Sequence, residues 1–259
     1  MQTGGVFCFR GILLYCRGPY ILSSMDRDKL VPAQSSAKEV EAFLRQAALA
    51  PKASPAANRR GRLVFAMDAT ASRRATWDEA QRIQADMFRT TAALGGLDIQ
   101  LVFFRGLGEC RASGWISEAN PMLRLMRQVE CVGGHTQIER VLKHTLAEAR
   151  EDKVNALVYV GDCLEESPDD VAMRAGELGL LGVPIFAFQE GAEPRAKACF
   201  QEMARLTHGA YYSFDTSSAA TLRELLSAVA VYAAGGYRAL ENFAAGSGRE
   251  VRALIGQIR

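Results

Sequence analysis

From Leu63 onward, short apolar runs alternate with longer amphipathic stretches, and few folds accommodate that rhythm. Leu63–Met67, Ile99–Phe104, Ala156–Val160, Val183–Phe188 and Ala210–Phe214 have strand length and near-continuous apolar character, so they read as buried strands. Cys110–Trp115 reads as a short further strand. The intervening spacing predicts a helix over Trp77–Leu94, with Thr76 as N-cap and Gly95-Gly96 as the stop. A second helix is expected from Asn120-Pro121 to Gln128, with Asn as cap and Pro in the first turn. Thr136 with Glu139 forms a capping box that opens a helix to Glu151. Pro168–Leu180, Glu193–Leu206 and Ala219–Ala233 complete the set. Buried strands joined by such helices imply an α/β, doubly wound, mostly parallel sheet with helices on both faces and right-handed crossovers.

The rest of the chain divides around that core. The first 24 residues carry Cys8, Arg10, Cys16 and Arg17, with no acidic residue before Asp26. The arginines interrupt the apolar stretch that a secretory signal needs. A transit peptide fits the composition loosely; the reading adopted is a non-native or disordered extension, with Met25 as the natural start. Residues 25–61 are expected to form a short helix and linker. Ser36 to Glu39 is a capping box, Val40, Phe43, Leu44, Ala47 and Ala48 share one helical face, and an Ala/Pro/Ser-rich stretch follows. Residues 62–234 are the folded domain, and residues 235–259 a polar, loosely held tail.

Composition excludes several classes of function. The formal net charge is only +2, which argues against a chain built to grip nucleic acid. No apolar run reaches the ~20 residues of a membrane-spanning helix. None of the six cysteines forms a C-x-x-C pair, so they read as reduced thiols in a cytoplasmic protein. His135, His144 and His208 lack zinc-site spacing. Neither a phosphate-binding loop nor a nucleophile elbow is present.

In open α/β sheets, ligands bind beyond the carboxyl ends of strands, where the strand order reverses. The first strand ends in Asp68-Ala69-Thr70-Ala71-Ser72, an acid followed by hydroxyls at alternate positions. Thr136 follows a double-glycine turn, and Ala156–Val160 ends in Gly161-Asp162. Two carboxylates and three hydroxyls suit a small hard cation such as Mg2+, with Mn2+ or Ca2+ as substitutes.

These residues resemble the metal-ion-dependent adhesion site of the von Willebrand factor A family, which has the pattern D-x-S-x-S, a later Thr and a later Asp. Asp68, Thr70 and Ser72 match the first part, Thr136 the second and Asp162 the third; Thr70 departs from the usual serine but keeps the hydroxyl. Leu181–Phe188 and Met203–Tyr212 are similar to the family's late strand, helix and last strand. The resemblance covers about Arg62 to Ala233 and is carried by uncharacterised bacterial proteins of this look. It implies a six-stranded sheet with one short antiparallel strand, and a metal at its edge that accepts an Asp or Glu carboxylate from a partner protein. It also implies a module that is no enzyme and works beside an ATPase or in a multi-protein assembly. A bound cation is expected to lower the pKa of Asp68 and Asp162.

Arg73, Arg74, Trp77, Arg105, His135 and Glu165 adjoin these positions in sequence and are expected to form the rim that meets the partner; Glu166 lies beside Glu165. The alternative is a haloacid-dehalogenase-like, magnesium-dependent phosphatase, using Asp68, Thr136, Lys153 and Gly161-Asp162. That family's general acid stands two positions after the first Asp, where this chain has Thr70, which cannot donate a proton in the way a carboxylic acid does.

Overall fold

The computed structural model describes residues 60–215 and 219–258. The extension over residues 1–24 and the helix expected after Ser36 lie outside them. In chain order the elements are β1 (Gly61–Asp68), α1 (Arg74–Thr91), β2 (Leu97–Arg105), β3 (Glu109–Ile116), α2 (Ala119–Gln128), α3 (Ile138–Glu151) and β4 (Ala156–Gly161). Then follow α4 (Pro168–Leu180), β5 (Ile185–Glu190), α5 (Pro194–Leu206), β6 (Ala210–Phe214), α6 (Ala219–Ala245) and α7 (Arg249–Ile255).

The six strands form one sheet in the order β3-β2-β1-β4-β5-β6. All neighbours are parallel except β2 and β3, which are antiparallel. Side chains alternate between the two faces. Leu63, Phe65 and Met67 of β1 pack with α1, α2, α6 and α7, whereas Val64 and Ala66 pack with α3, α4 and α5. This is why the strands read as continuous apolar runs: both faces are covered. The chain steps from β1 to β2 on one side and later returns to β4 on the other, so the order reverses between β1 and β4.

Four local expectations are corrected. α2 begins at Ala119 with Glu118 at its N-cap, so Asn120 lies within its first turn and does not cap it. α1 begins at Arg74, after a 3-10 turn over Ala71–Arg73, so Thr76 is not its cap. The start of α3 is not closed by Thr136: no side chain of its own N-terminus caps it, and the Glu166 carboxylate accepts from the N–H groups of Ile138 (2.6 Å) and Glu139 (2.9 Å) instead. The stretch after Gly235, expected to be a loosely held tail, is helical. Gly236 (φ 73°) kinks α6, the helix resumes, and Leu240, Ala244, Val251 and Leu254 bury themselves in the core.

A polar cluster fixes α3 to the sheet near the amino ends of the strands. The Glu148 carboxylate accepts hydrogen bonds from Gln100 Nε2 (3.1 Å), Trp115 Nε1 (2.9 Å) and Arg62 Nη2 (3.3 Å). Burial pushes its pKa up, but the bonds from Gln100 and Trp115 and the nearby His144 and Arg62 charges bring it below 4.5 on balance. Glu148→Ala leaves these donors unmatched and is expected to destabilise the chain by about 2–3 kcal/mol. Because the folded-state pKa is depressed, the ionic part of that loss is full above pH 4.5 and fades as pH falls below it. Urea unfolding of wild type and variant at several pH values checks both the size and the sign.

Candidate metal site

The register of the sheet brings the candidate ligands to one edge. Met67 lies opposite Val160, so Asp68, which ends β1, and Asp162, which follows β4, flank the point where the strand order reverses. Asp68 is 2% exposed. Its Oδ1 accepts the Thr70 N–H at 2.7 Å, which curls the loop so that the Thr70 and Ser72 hydroxyls sit 3.2 Å apart. Ser72 Oγ lies 3.5 Å from Asp162 Oδ2, the outer limit of a hydrogen bond. Asp68, Thr70, Ser72 and Asp162 therefore converge.

Thr136 reaches the same edge by a different support. It is 5% exposed, its N–H donates to Glu165 Oε2 (2.8 Å), and its hydroxyl accepts the Glu165 N–H (3.0 Å). The preceding loop is pinned on both sides. Val132 N–H donates to the carbonyl of Ala69, and His135 N–H donates to that of Gly106 at the tip of the β2–β3 hairpin. A side chain at Gly134 would overlap the Gly106 backbone, so only glycine lets the loop approach the hairpin this closely.

Two buried carboxylate oxygens at this edge, Asp68 Oδ2 and Asp162 Oδ1, have no hydrogen-bond partner. Buried polar atoms are nearly always paired, so two such oxygens beside two hydroxyls are a donor set that fits a hard cation. Among the described residues, no group of three or more His, Cys, Asp or Glu is placed to hold a metal. A cation here would have to be held by hydroxyls as much as by carboxylates. Burial, and to a lesser degree the Asp162 charge, raises the Asp68 pKa to about 6 against the opposing Thr70 hydrogen bonds.

The rim residues take up different roles from those expected. Trp77 is not at the rim: it is 1% exposed, packs edge-on against Phe103 and donates its indole N–H to the carbonyl of Met126. Arg73 is also buried, with Nη1 2.5 Å from Glu190 Oε2 and Nε 3.3 Å from Asp162 Oδ2. The Thr76 hydroxyl donates to the same Glu190 oxygen. Arg105 is occupied by Glu109 (2.8 Å) and by the carbonyl of Glu130 (2.6 Å). Arg74 is exposed, and His135 is exposed with its Nδ1 3.1 Å from Glu165 Oε1. Sequence reasoning missed Glu190, although a carboxylate closing an otherwise apolar strand next to β4 was a usable signal. Burial, partly offset by Arg73, raises its pKa. Cys163, beside Asp162, has its thiol pushed up to about 12 by burial and the adjacent carboxylate, so it is not a nucleophile near neutral pH.

No protein-family model matches the chain, and no curated protein does. Solved structures do. A von Willebrand factor type A protein from Catenulispora acidiphila superposes with a TM-score of 0.52 at 17% identity, over 65% of this chain and 42% of that one. The pilus adhesin SpaC from Lactobacillus rhamnosus GG, in an open conformation, gives a TM-score of 0.54 at 12% identity, over 71% of this chain and 30% of the adhesin. Proximal thread matrix protein 1 from the mussel byssus gives 0.50 at 15% identity, over 67% and 47%. The chain thus spans less than half the length of each of these proteins. At such identities the likeness speaks to architecture alone, and the architecture is the three-layer α/β fold of von Willebrand factor A domains.

Proposed function

We propose that the chain is a magnesium-dependent protein-interaction module. The observation that carries this reading is the pair of buried, unpartnered oxygens, Asp68 Oδ2 and Asp162 Oδ1, beside the Thr70 and Ser72 hydroxyls at the reversal point of the sheet. A bound divalent ion would supply an open coordination position for an Asp or Glu carboxylate of a partner protein. In this reading Asp68, Thr70, Ser72, Thr136 and Asp162 hold the ion, and the neutral hydroxyls leave part of its charge uncompensated. Arg74 and His135 remain exposed for the partner's acidic group. The setting proposed is cytoplasmic, beside an ATPase or in a multi-protein assembly. Among the described residues no helix is long and apolar enough to cross a membrane.

The phosphatase alternative is weaker on two counts. Thr70 stands where that chemistry needs an acid. Lys153 precedes β4, at the amino end of the strand, whereas Asp162 follows its carboxyl end. Thermal unfolding of the full chain in EDTA, Mg2+, Mn2+ and Ca2+, beside a p-nitrophenyl phosphate assay, separates the readings. An ion present at a hundred times its Kd stabilises the native state by about 2.7 kcal/mol. A rise in Tm with Mg2+ or Mn2+ and no turnover is expected; metal-dependent turnover would favour the phosphatase, and no shift with any ion would leave a scaffold without a metal.

A further inference from the structure

We infer that Arg73 is a built-in counter-cation that competes with a divalent ion for Asp162. The inference rests on the metal-site reading above and adds what controls occupancy.

The guanidinium is held asymmetrically. Its Nη1 makes a short charge-assisted bond of 2.5 Å to Glu190, which also accepts from Thr76. Its Nε lies 3.3 Å from Asp162 Oδ2, close enough for a strong Coulomb attraction, yet this N–H is not aligned as a hydrogen bond and is otherwise unpaired. Arg73 is therefore anchored on Glu190 and only leans on Asp162. The side chain is 10% exposed, so the attraction is poorly screened.

This geometry has a consequence for a second cation. A divalent ion on Asp162 cancels most of the attraction for Nε and repels the guanidinium. Arg73 can yield without refolding, because its Glu190 anchor stays. Both side chains line a cavity of about 480 Å³ with Cys163, Glu190 and Glu193, into which the guanidinium can swing. Ser72, a candidate ligand, and Arg73, the competitor, are consecutive in the 3-10 turn that leads into α1. The ligand and its competitor thus sit side by side on one short turn, so the competition is local to the site. In the absence of an ion, Arg73 partly neutralises an edge that would otherwise hold Asp68, Asp162 and Glu190 against one another.

The test compares full-length wild type, Arg73→Gln and the double variant R73Q/E190Q, by Mg2+ titration calorimetry and by thermal unfolding in EDTA. Removing a cation a few ångströms from a carboxylate strengthens its hold on another positive charge by about tenfold or more. Arg73→Gln is expected to tighten Mg2+ binding by that factor and to lower Tm in EDTA, because Glu190 loses its partner. R73Q/E190Q, which replaces the ion pair with two amides, is expected to regain Tm and to bind Mg2+ more tightly than wild type but less tightly than Arg73→Gln, because the Glu190 charge that also attracts a cation is lost; the result thus survives if the single variant folds poorly. Mg2+ affinity equal to or weaker than that of wild type in both variants overturns the competition while leaving the metal site intact. Binding in the variants but not in wild type supports the competition and removes the native metal role. Binding in none of the three overturns both.

Discussion

Asp68→Asn is expected to make the metal-free chain more stable at pH 7.5 and to abolish its response to magnesium. The carboxyl is buried, and burial holds its pKa at about 6, against 3.8 in the unfolded chain. The folded state thus binds this proton more tightly than the unfolded state does. Stability from the group is fully present below pH 3.8 and is lost as pH rises through about 6. An amide in its place carries no charge to desolvate and still offers an oxygen to the Thr70 N–H. At neutral pH, in EDTA, the variant is expected to gain up to about 3 kcal/mol, or roughly 5–10 °C in Tm for a domain of this size. The advantage vanishes near pH 4. In saturating Mg2+ wild type rises and the variant does not. Differential scanning calorimetry at pH 4, 6 and 7.5, with and without Mg2+, reads all of this. A variant that melts below wild type in EDTA at pH 7.5 would mean that the Asp68 carboxylate is stabilised by something other than a metal.

Gly134→Ala is expected to have the opposite sign and comparable size. A methyl group at that position overlaps the backbone of Gly106, so the loop and the β2–β3 hairpin must part. Parting them strains or breaks the bond from His135 N–H to the Gly106 carbonyl and shifts Thr136, which follows directly. Loss of about 2–4 kcal/mol follows from steric overlap with an unyielding backbone. Any Mg2+-dependent gain should shrink as well, because one of its proposed hydroxyls has moved. Gly133→Ala is the control: nothing lies within 4 Å of a Cβ there, and a change within about 0.5 kcal/mol is expected. Equal effects from the two substitutions would contradict the close approach.

The parts of the fold that were legible in the sequence were those set by periodicity. Pro168–Leu180 and Ala210–Phe214 coincide with α4 and β6, and the other elements up to β6 lie within a few residues of their expected bounds, whereas α6 runs on well past Ala233 and α7 falls in the expected tail. What failed was inference from local signals alone. The polar character of residues 235–259 suggests a loose tail, yet Gly236 with its positive φ only kinks the helix, and apolar residues beyond it draw the chain back to the core. The Thr136–Glu139 box had the right letters, but Glu166, from across the sheet edge, occupies the start of α3. Proximity to Asp68 in sequence points Trp77 to the rim. Its spacing with Ala80, Ile83 and Met87 puts it on the buried face of α1. Arg73 and Glu190 pair across 117 positions, a distance that no local pattern reports.

The central claim, that Asp68 and Asp162 frame a cation site, is tested most directly by titrating Mn2+ into the full chain and counting free ion by electron paramagnetic resonance. A single bound ion, displaced by Mg2+ and lost in both Asp68→Asn and Asp162→Asn, is the predicted result. No binding at millimolar Mn2+, or binding that persists in both variants, would contradict it.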